Sequence, residues 1–228
     1  MSELRDILKA ALPQADDLAL ARFETYQRML AEWNERMNLT AITDPVEVAE
    51  KHFADSLAAL PYLKAGMKGV DVGTGAGFPG VPLLIMAPNL DLTLADSLQK
   101  RLTFLDALLQ ELGLKAELVH GRAEDLGQNR LYRERFDVAL SRAVANLPVL
   151  LELTTPFVKV GGTAIAYKGD GAEELKNAKS AAFLLHVQLR TVALDSPLGK
   201  RCLIFADKTA ATPKAYPRKA GTPNKKPL

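Results

Sequence analysis

Cysteine is almost missing from this chain. Cys202 is the only one in 228 residues, so no intrachain disulfide can form and no cysteine-rich zinc site can be built. Histidine is scarce as well: His52, His120 and His186 lie scattered along the sequence, and no metal site is suggested. No apolar run reaches the roughly 20 residues that a bilayer-spanning helix needs. The opening stretch, MSELRDILKAALPQ, carries acids and lacks a basic segment ahead of an apolar block, so it does not read as a secretory signal. These absences point to a cytoplasmic protein, expected to be a monomer, with no membrane role. Core material is not lacking. With 48% hydrophobic and 25% charged residues the chain suits one packed α/β domain with a small extension.

Acid is missing from one end. Between Lys208 and Leu228 there are six basic residues and no acid, although the whole chain is only +2. The body ahead of this tail is acidic on balance, with 23 bases against 27 acids. The tail, KTAATPKAYPRKAGTPNKKPL, holds four prolines and almost no large apolar side chain, so it cannot fold by itself. Two readings stay open. It is a solvated, disordered end, or a basic arm that orders on a polyanion through Lys214, Arg218, Lys219, Lys225 and Lys226. Arg130, Arg133 and Arg135 are further candidates for phosphate contacts.

Residues 16–37 read as an amphipathic helix, because Phe23, Tyr26, Leu30, Trp33 and Met37 recur at alternating spacings of three and four. A second helix is expected from Asp44, the cap, through Pro45 and Glu47, with Ala49, Phe53, Leu57 and Leu60 on its buried face. After residue 66 the pattern changes. Strands are expected at 69–73, 91–95, 116–120, 136–141, 163–168, 187–194 and 201–206, with helices near 80–87, 98–112, 146–158 and 171–182 and a polar connector near 126–135. This alternation implies right-handed βαβ units and a mostly parallel sheet. The link around Ser196-Pro197-Leu198-Gly199 is too short for a helix, so the last two strands should pair antiparallel. Three parts are therefore expected: a helical extension over 1–66, an α/β domain over 67–207 and the basic tail over 208–228.

The string VDVGTGAGFPG, residues 70–80, ends the first strand. Gly73, Gly75 and Gly77 let a ligand approach the backbone, and the spacing from Gly75 also fits a dinucleotide fingerprint. Three features favour S-adenosylmethionine over a dinucleotide. Asp71 would repel a pyrophosphate, Pro79 and Pro82 remove amide donors that a diphosphate needs, and the last strand runs antiparallel. Asp96, ending the second strand, is placed to accept from ribose hydroxyls, or else to cap the helix that follows. Ala123 and Glu124 follow the third strand and could meet the adenine edge, unless Glu124 is an ordinary surface acid. Arg142 and Lys168 end the fourth and fifth strands on the rim where open α/β sheets bind ligands. His52 with Asp55 could hydrogen-bond at a helix end near the site, or be structural, which is the favoured reading, and Cys202 reads as buried and inert. A small-molecule methyltransferase and an NAD-linked oxidoreductase remain as alternatives at this point.

The segments NERMNLTAIT, KHFADSL, VDVGTGAGFPG, ADSLQKRLTFL, GRAED, SRAV and YPRKAGTPNKKPL together resemble the glucose-inhibited division protein B family. The resemblance runs in order over nearly the whole chain. It implies a Rossmann-like class I S-adenosylmethionine-dependent methyltransferase fold, with a seven-stranded sheet and an antiparallel last strand. It also implies methylation of guanine N7 in 16S ribosomal RNA, on the RNA or the small ribosomal subunit. At the matching positions Gly73, Phe78, Ala123, Glu124 and Arg142 would contact the cofactor. No catalytic base is expected, because the N7 lone pair lies in the ring plane and carries no proton at neutral pH.

Overall fold

The computed structural model describes residues 3–196 and 198–228; Pro197, within the expected link between the last two strands, lies outside the described residues. Seven strands form one sheet: β1 (Lys68–Val72), β2 (Asp91–Asp96), β3 (Glu117–His120), β4 (Phe136–Arg142), β5 (Val158–Lys168), β6 (Val187–Leu194) and β7 (Arg201–Lys208). Their order is β3-β2-β1-β4-β5-β7-β6, with β1 to β5 parallel and β7 antiparallel to both of its neighbours. The strand order reverses at β1 and β4, which opens a crevice at their carboxyl ends.

Helices cover both faces, and the two-residue period of the strands decides which core each side chain joins. Leu92, Leu94, Val138, Leu140 and Ile165 enter one cluster, under α1 (Glu3–Ala11), α2 (Asp17–Met37), α4 (Gly80–Met86) and α5 (Gln99–Leu112). Val70, Val72, Ala95, Ala139 and Ala164 enter the other, under α6 (Ala123–Gln128), α7 (Leu147–Thr154), α8 (Ala172–Asn177) and α9 (Lys179–Leu184). The N-terminal segment is thus part of the first core. Asp16 caps α2 by accepting from Ala19 N at 2.7 Å, and Phe23, Tyr26 and Leu30 from the expected stripe are buried. Trp33 and Met37 are partly buried against the same core. No helix among the described residues is long and apolar enough to cross a membrane.

Several elements depart from the periodic expectation. Asp44 does cap, accepting from Glu47 N at 3.0 Å, but α3 (Pro45–Glu47) is a single turn. It runs into a π-helix over Val48–Ala54 and then a 3-10 helix over Leu57–Tyr62. The expected helix over 146–158 stops at Thr154, because Pro156 cannot donate to the helical ladder, and β5 begins at Val158. The helix expected over 171–182 is broken at Ala178. The start of the polar connector is helical, as α6, and α1 was not foreseen.

The largest correction concerns the tail. It is neither a solvated end nor an arm awaiting a polyanion, because it lies docked on the body and ends in α10 (Thr222–Lys225). Lys208 is buried, donating to Glu134 Oε1 at 2.6 Å and to the carbonyls of Val158 and Thr155. Arg133, expected to meet phosphate, donates instead to the carbonyls of Gly127, Thr212, Pro213 and Tyr216. Arg218, also expected to meet RNA, donates Nη2 and Nε to the fully buried Glu152 carboxylate, at 2.6 Å for the shortest contact. The tail's composition forbids independent folding, but the body supplies the acceptors and donors that its polar groups need.

Removing one partner of a buried ion pair strands the other charge, which typically costs about 3–5 kcal/mol. Arg218 is partly solvated, so Arg218→Ala is expected to destabilise the fold by about 2–4 kcal/mol in urea unfolding. A double change, Arg218→Ala with Glu152→Leu, should recover most of that loss. If the single variant unfolds like the wild type, the tail is not anchored by this pair.

Candidate functional site

A cleft of 460 Å³ opens at the carboxyl ends of β1, β2, β3 and β4. Its floor is the turn after β1. Gly73 has φ +73° and Gly75 φ +61°, a left-handed region that costs a side chain about 1–2 kcal/mol. Two carboxylates hold this turn. Asp71 lies beneath it, fully buried, and Oδ2 accepts from Thr74 Oγ1 at 2.7 Å and from Gly80 N at 2.9 Å. Burial pushes the Asp71 carboxyl up to about 6, and its Oδ1 has no partner. Asp96 lines the cleft itself and accepts from Gly75 N and Leu98 N, at 2.9 and 2.8 Å, and from Arg101 at 3.2 Å.

Gly77 does not belong to this floor. A Cβ there would lie 2.8 Å from the Tyr26 hydroxyl, 2.8 Å from Val81 and 2.9 Å from Leu105. Its side faces the packing of α2 and α5 on α4, so the third glycine of the string serves close helix approach and lies outside the cleft lining. Tyr26 uses the room left by this missing side chain to donate to Ala76 O at 2.5 Å.

Arg142 stands where the cleft meets the N-terminal segment. Its Nη1 donates to Lys51 O at 2.8 Å and to Asp55 Oδ2 at 3.2 Å, and its Nη2 donates to His52 Nδ1 at 3.1 Å. The π-helical turn presents Lys51 O and His52, and Asp55 follows directly after it. Phe78 lies under the guanidinium, 5.0 Å from its carbon, and stacks with His52 at 4.5 Å. Because a guanidinium can only donate, Nδ1 of His52 must accept, which puts the ring proton on Nε2 and directs it to Thr40 Oγ1 at 2.8 Å. Burial, with the charge of Arg142 second, lowers the His52 pKa to about 4. Its ring is therefore neutral and fully engaged. His52 stands in the cleft wall, which agrees with the reading that placed it near the site, and Asp55, the partner expected for it, reaches it through Arg142.

Ala123 and Glu124 close the far wall with Gly121, Arg122 and Leu126. Glu124 is only 4% exposed, so it is not a surface acid, and its Oε1 accepts from Gly221 N of the tail at 2.8 Å. Asn224, on α10, completes that wall. Leu39, Thr40 and Asn224 line the cleft without any periodic or spacing signal of their own. Of the tail cations, Lys214, Lys219, Lys225 and Lys226 stay exposed.

A second cleft of 540 Å³ adjoins the first and shares His52, Arg142 and Ala143 with it. Its other lining residues include Lys51, Tyr167, Lys168 and Arg201, so four cations line it and no acid does. The acids that balance them stand behind. Asp55 accepts from Arg201 at 2.6 Å as well as from Arg142, and Lys168 pairs with Glu174 at 2.7 Å. Of the other two histidines, His120 bonds Ser97 O and His186 bonds Ala211 O, both outside the clefts.

The strand order, the antiparallel β7 and a glycine turn facing a strand-end carboxylate define a class I S-adenosylmethionine-dependent methyltransferase fold. The donor set fits that cofactor: an open glycine floor for its methionine end, Asp96 for ribose hydroxyls and, beyond, a mixed wall of Ala123, Glu124, Leu126 and Asn224. Solved structures agree on the fold. A methyltransferase from Pyrococcus furiosus aligns with a TM-score of 0.57 at 16% identity, covering 82% of this chain and 98% of its own. A SAM-dependent methyltransferase from Aquifex aeolicus gives 0.56 at 18%, covering 74% and 96%. The family model described as rRNA small subunit methyltransferase G matches residues 19–201, and the chain belongs to that family. Among curated relatives, the ribosomal RNA small subunit methyltransferases G of Desulfitobacterium hafniense and Alkaliphilus metalliredigens are each 49% identical to it. The first alignment covers 92% of this chain and 89% of the relative, and the second 93% and 92%.

Two glycines of the turn should separate by readout. Gly77→Ala, with φ +102° and three clashes, is expected to lose about 2–4 kcal/mol of stability in thermal or urea unfolding. Gly75→Ala, with open space around its Cβ, should cost about 1 kcal/mol yet weaken binding of S-adenosylhomocysteine in calorimetry. Equal behaviour of the two variants would contradict this division.

The depressed pKa of His52 has a pH consequence. As pH falls from about 6.5 towards 4, the unfolded chain takes up a proton at this ring that the folded chain does not. The fold therefore loses stability over that window, and His52→Gln should lack this part of the loss. Urea unfolding of both proteins at pH 7 and pH 4.5 checks it. A stability difference independent of pH would show that the folded ring titrates normally.

Proposed function

We propose that the chain transfers a methyl group from S-adenosylmethionine to N7 of a guanosine in 16S ribosomal RNA, free or within the small ribosomal subunit. The observation that carries this reading is the pair of adjoining clefts, one floored by the glycine turn, the other lined by Lys51, Arg142, Lys168 and Arg201. A basic cleft without acids favours a polyanion over a neutral small molecule. The curated relatives are named for the same substrate class. On this reading Gly73, Gly75, Phe78, Asp96, Ala123, Glu124 and Arg142 hold the cofactor, and Lys214, Lys219, Lys225 and Lys226 meet phosphates. Residues 1–66, 67–207 and 208–228 act as wall, catalytic body and strap. The enzyme works as a monomer in the cytoplasm.

The cofactor supplies an electrophilic methyl group on a sulfonium. Nothing in the chain has to remove a proton, since the attacking N7 lone pair is free. His52 is neutral with both ring nitrogens engaged, which suits a wall and not a base. What the residues provide is alignment, which supplies roughly 7–11 kcal/mol in well-oriented reactions. Arg142 positions through two fixed faces: it rests on Phe78, and the bonds to Lys51, Asp55 and His52 leave Nε–H and one Nη2 hydrogen to face the clefts. Positive charge moves from sulfur to the guanine ring, so a guanidinium orients ligands here and does not stabilise the transition state.

Small subunits from cells lacking this protein, incubated with the purified chain and S-adenosylmethionine, should gain one 7-methylguanosine in 16S RNA. Borohydride and aniline cleavage maps it. Arg142→Ala should lower the rate by about 10- to 100-fold, with far-ultraviolet dichroism confirming a folded variant. Methylation of a different atom, or none on either RNA or subunits, would overturn the reading.

A further inference from the structure

We propose that Asn224, on the C-terminal strap, is a cofactor-binding residue that hydrogen-bonds the adenine edge of the adenosyl group. This rests on the cofactor reading of the larger cleft. The strap crosses the end of the cleft formed by the segment after β3, and Asn224 lines it together with Gly121, Arg122, Ala123, Glu124 and Leu126. Its place is fixed by contacts far apart in sequence. Gly221 N donates to Glu124 Oε1 at 2.8 Å, Gln128 donates to Pro217 O at 2.8 Å, and Arg218 grips Glu152. Gly221, at φ +80°, turns the chain into the short α10 that carries Asn224.

The chemistry of the wall selects this residue. The Glu124 carboxylate already accepts from Gly221 N, and Arg122 lies 3.5 Å from the same oxygen. Ala123 offers only backbone, and Leu126 only hydrocarbon. The side-chain amide of Asn224 has no hydrogen-bond partner among the described residues. A carboxamide sets one acceptor beside one donor, the pattern complementary to adenine's exocyclic amine and its neighbouring ring nitrogen. No other uncommitted side-chain amide lines the cleft.

The test uses the full chain and calorimetry with two probes: S-adenosylhomocysteine, and S-inosylhomocysteine, in which oxygen replaces the 6-amino group. The wild type should prefer the adenosyl compound. Asn224→Ala should bind it about 3- to 10-fold more weakly, as loss of one or two hydrogen bonds implies, while binding of the inosyl compound changes little, so the preference shrinks. Asn224→Asp, which keeps the shape and loses the donor, should lose a similar share. A chain ending at Gly221, which keeps the Arg218–Glu152 pair and the Gly221–Glu124 bond, should lose at least as much. If Asn224→Ala binds S-adenosylhomocysteine as the wild type does with its preference intact, this proposal fails and the cofactor reading stands. If the wild type binds neither compound, both fail.

Discussion

The guanidinium of Arg142 is the point through which sheet, N-terminal helices and both clefts are joined. It ends β4, yet its bonds run to Lys51 and His52 on the π-helical turn and to Asp55 directly after it. Asp55 accepts from Arg201 on β7 as well. One almost fully buried carboxylate between two guanidiniums leaves the cluster one positive charge in excess, held where solvent is mostly excluded. Asp55 is the costly member to lose, because without it both guanidiniums are left without a counter-charge. It also explains why the N-terminal segment cannot be treated as an accessory. Its π turn and the Asp55 that follows supply the three acceptors that aim Arg142, and its Tyr26 and Phe53 buttress Phe78 beneath it.

The glycine turn is held by a division of labour between two carboxylates. Asp71 works from below, where burial makes ionisation costly and only two of its contacts are filled. Asp96 works from the cleft side, holding Gly75 N while remaining in the lining. Of the two roles weighed for Asp96 in the sequence, the helix cap is not made: no side chain caps α5, and Asp96 accepts instead from Leu98 N just ahead of it while lining the cleft. A carboxylate that is already an acceptor for backbone amides is rigidly placed, which suits it to receive hydroxyls without a further ordering cost.

Local chemistry was legible wherever short-range rules decide structure. Asp44 caps as its spacing implies, and the strands of the sheet lie within a few residues of the apolar runs except where Pro156 resets the start of β5. What stayed hidden depends on partners distant in sequence. Ala49, Phe53 and Leu57 satisfy an α-helical face and a π turn equally well, so periodicity had no means of detecting the wider turn that aims His52 and Asp55. Gly77 matches a ligand fingerprint, and only Tyr26 and Leu105, both remote, reveal its packing role. The tail was judged by its own apolar content, whereas its docking comes from Glu124, Arg133, Glu134 and Glu152.

The docked tail changes how the charges of this protein relate to its cleft. Lys225 and Lys226 are exposed and follow directly on Asn224, so the cations at the end of the chain and the wall of the cofactor cleft share a single helical turn. A ligand in the cleft that bonds the strap and a polyanion that bonds its lysines would both favour the same docked conformation. Each then lowers the ordering cost for the other, and linkage requires the effect to be reciprocal. The buried pair Arg218–Glu152 limits how large that coupling can be, because it already holds the base of the strap in place. The last turn beyond Gly221 is tied back as well, by Arg218 Nη2 donating to Lys226 O at 2.7 Å, so the coupling should amount to about 1 kcal/mol, the lower end of what such linkages carry.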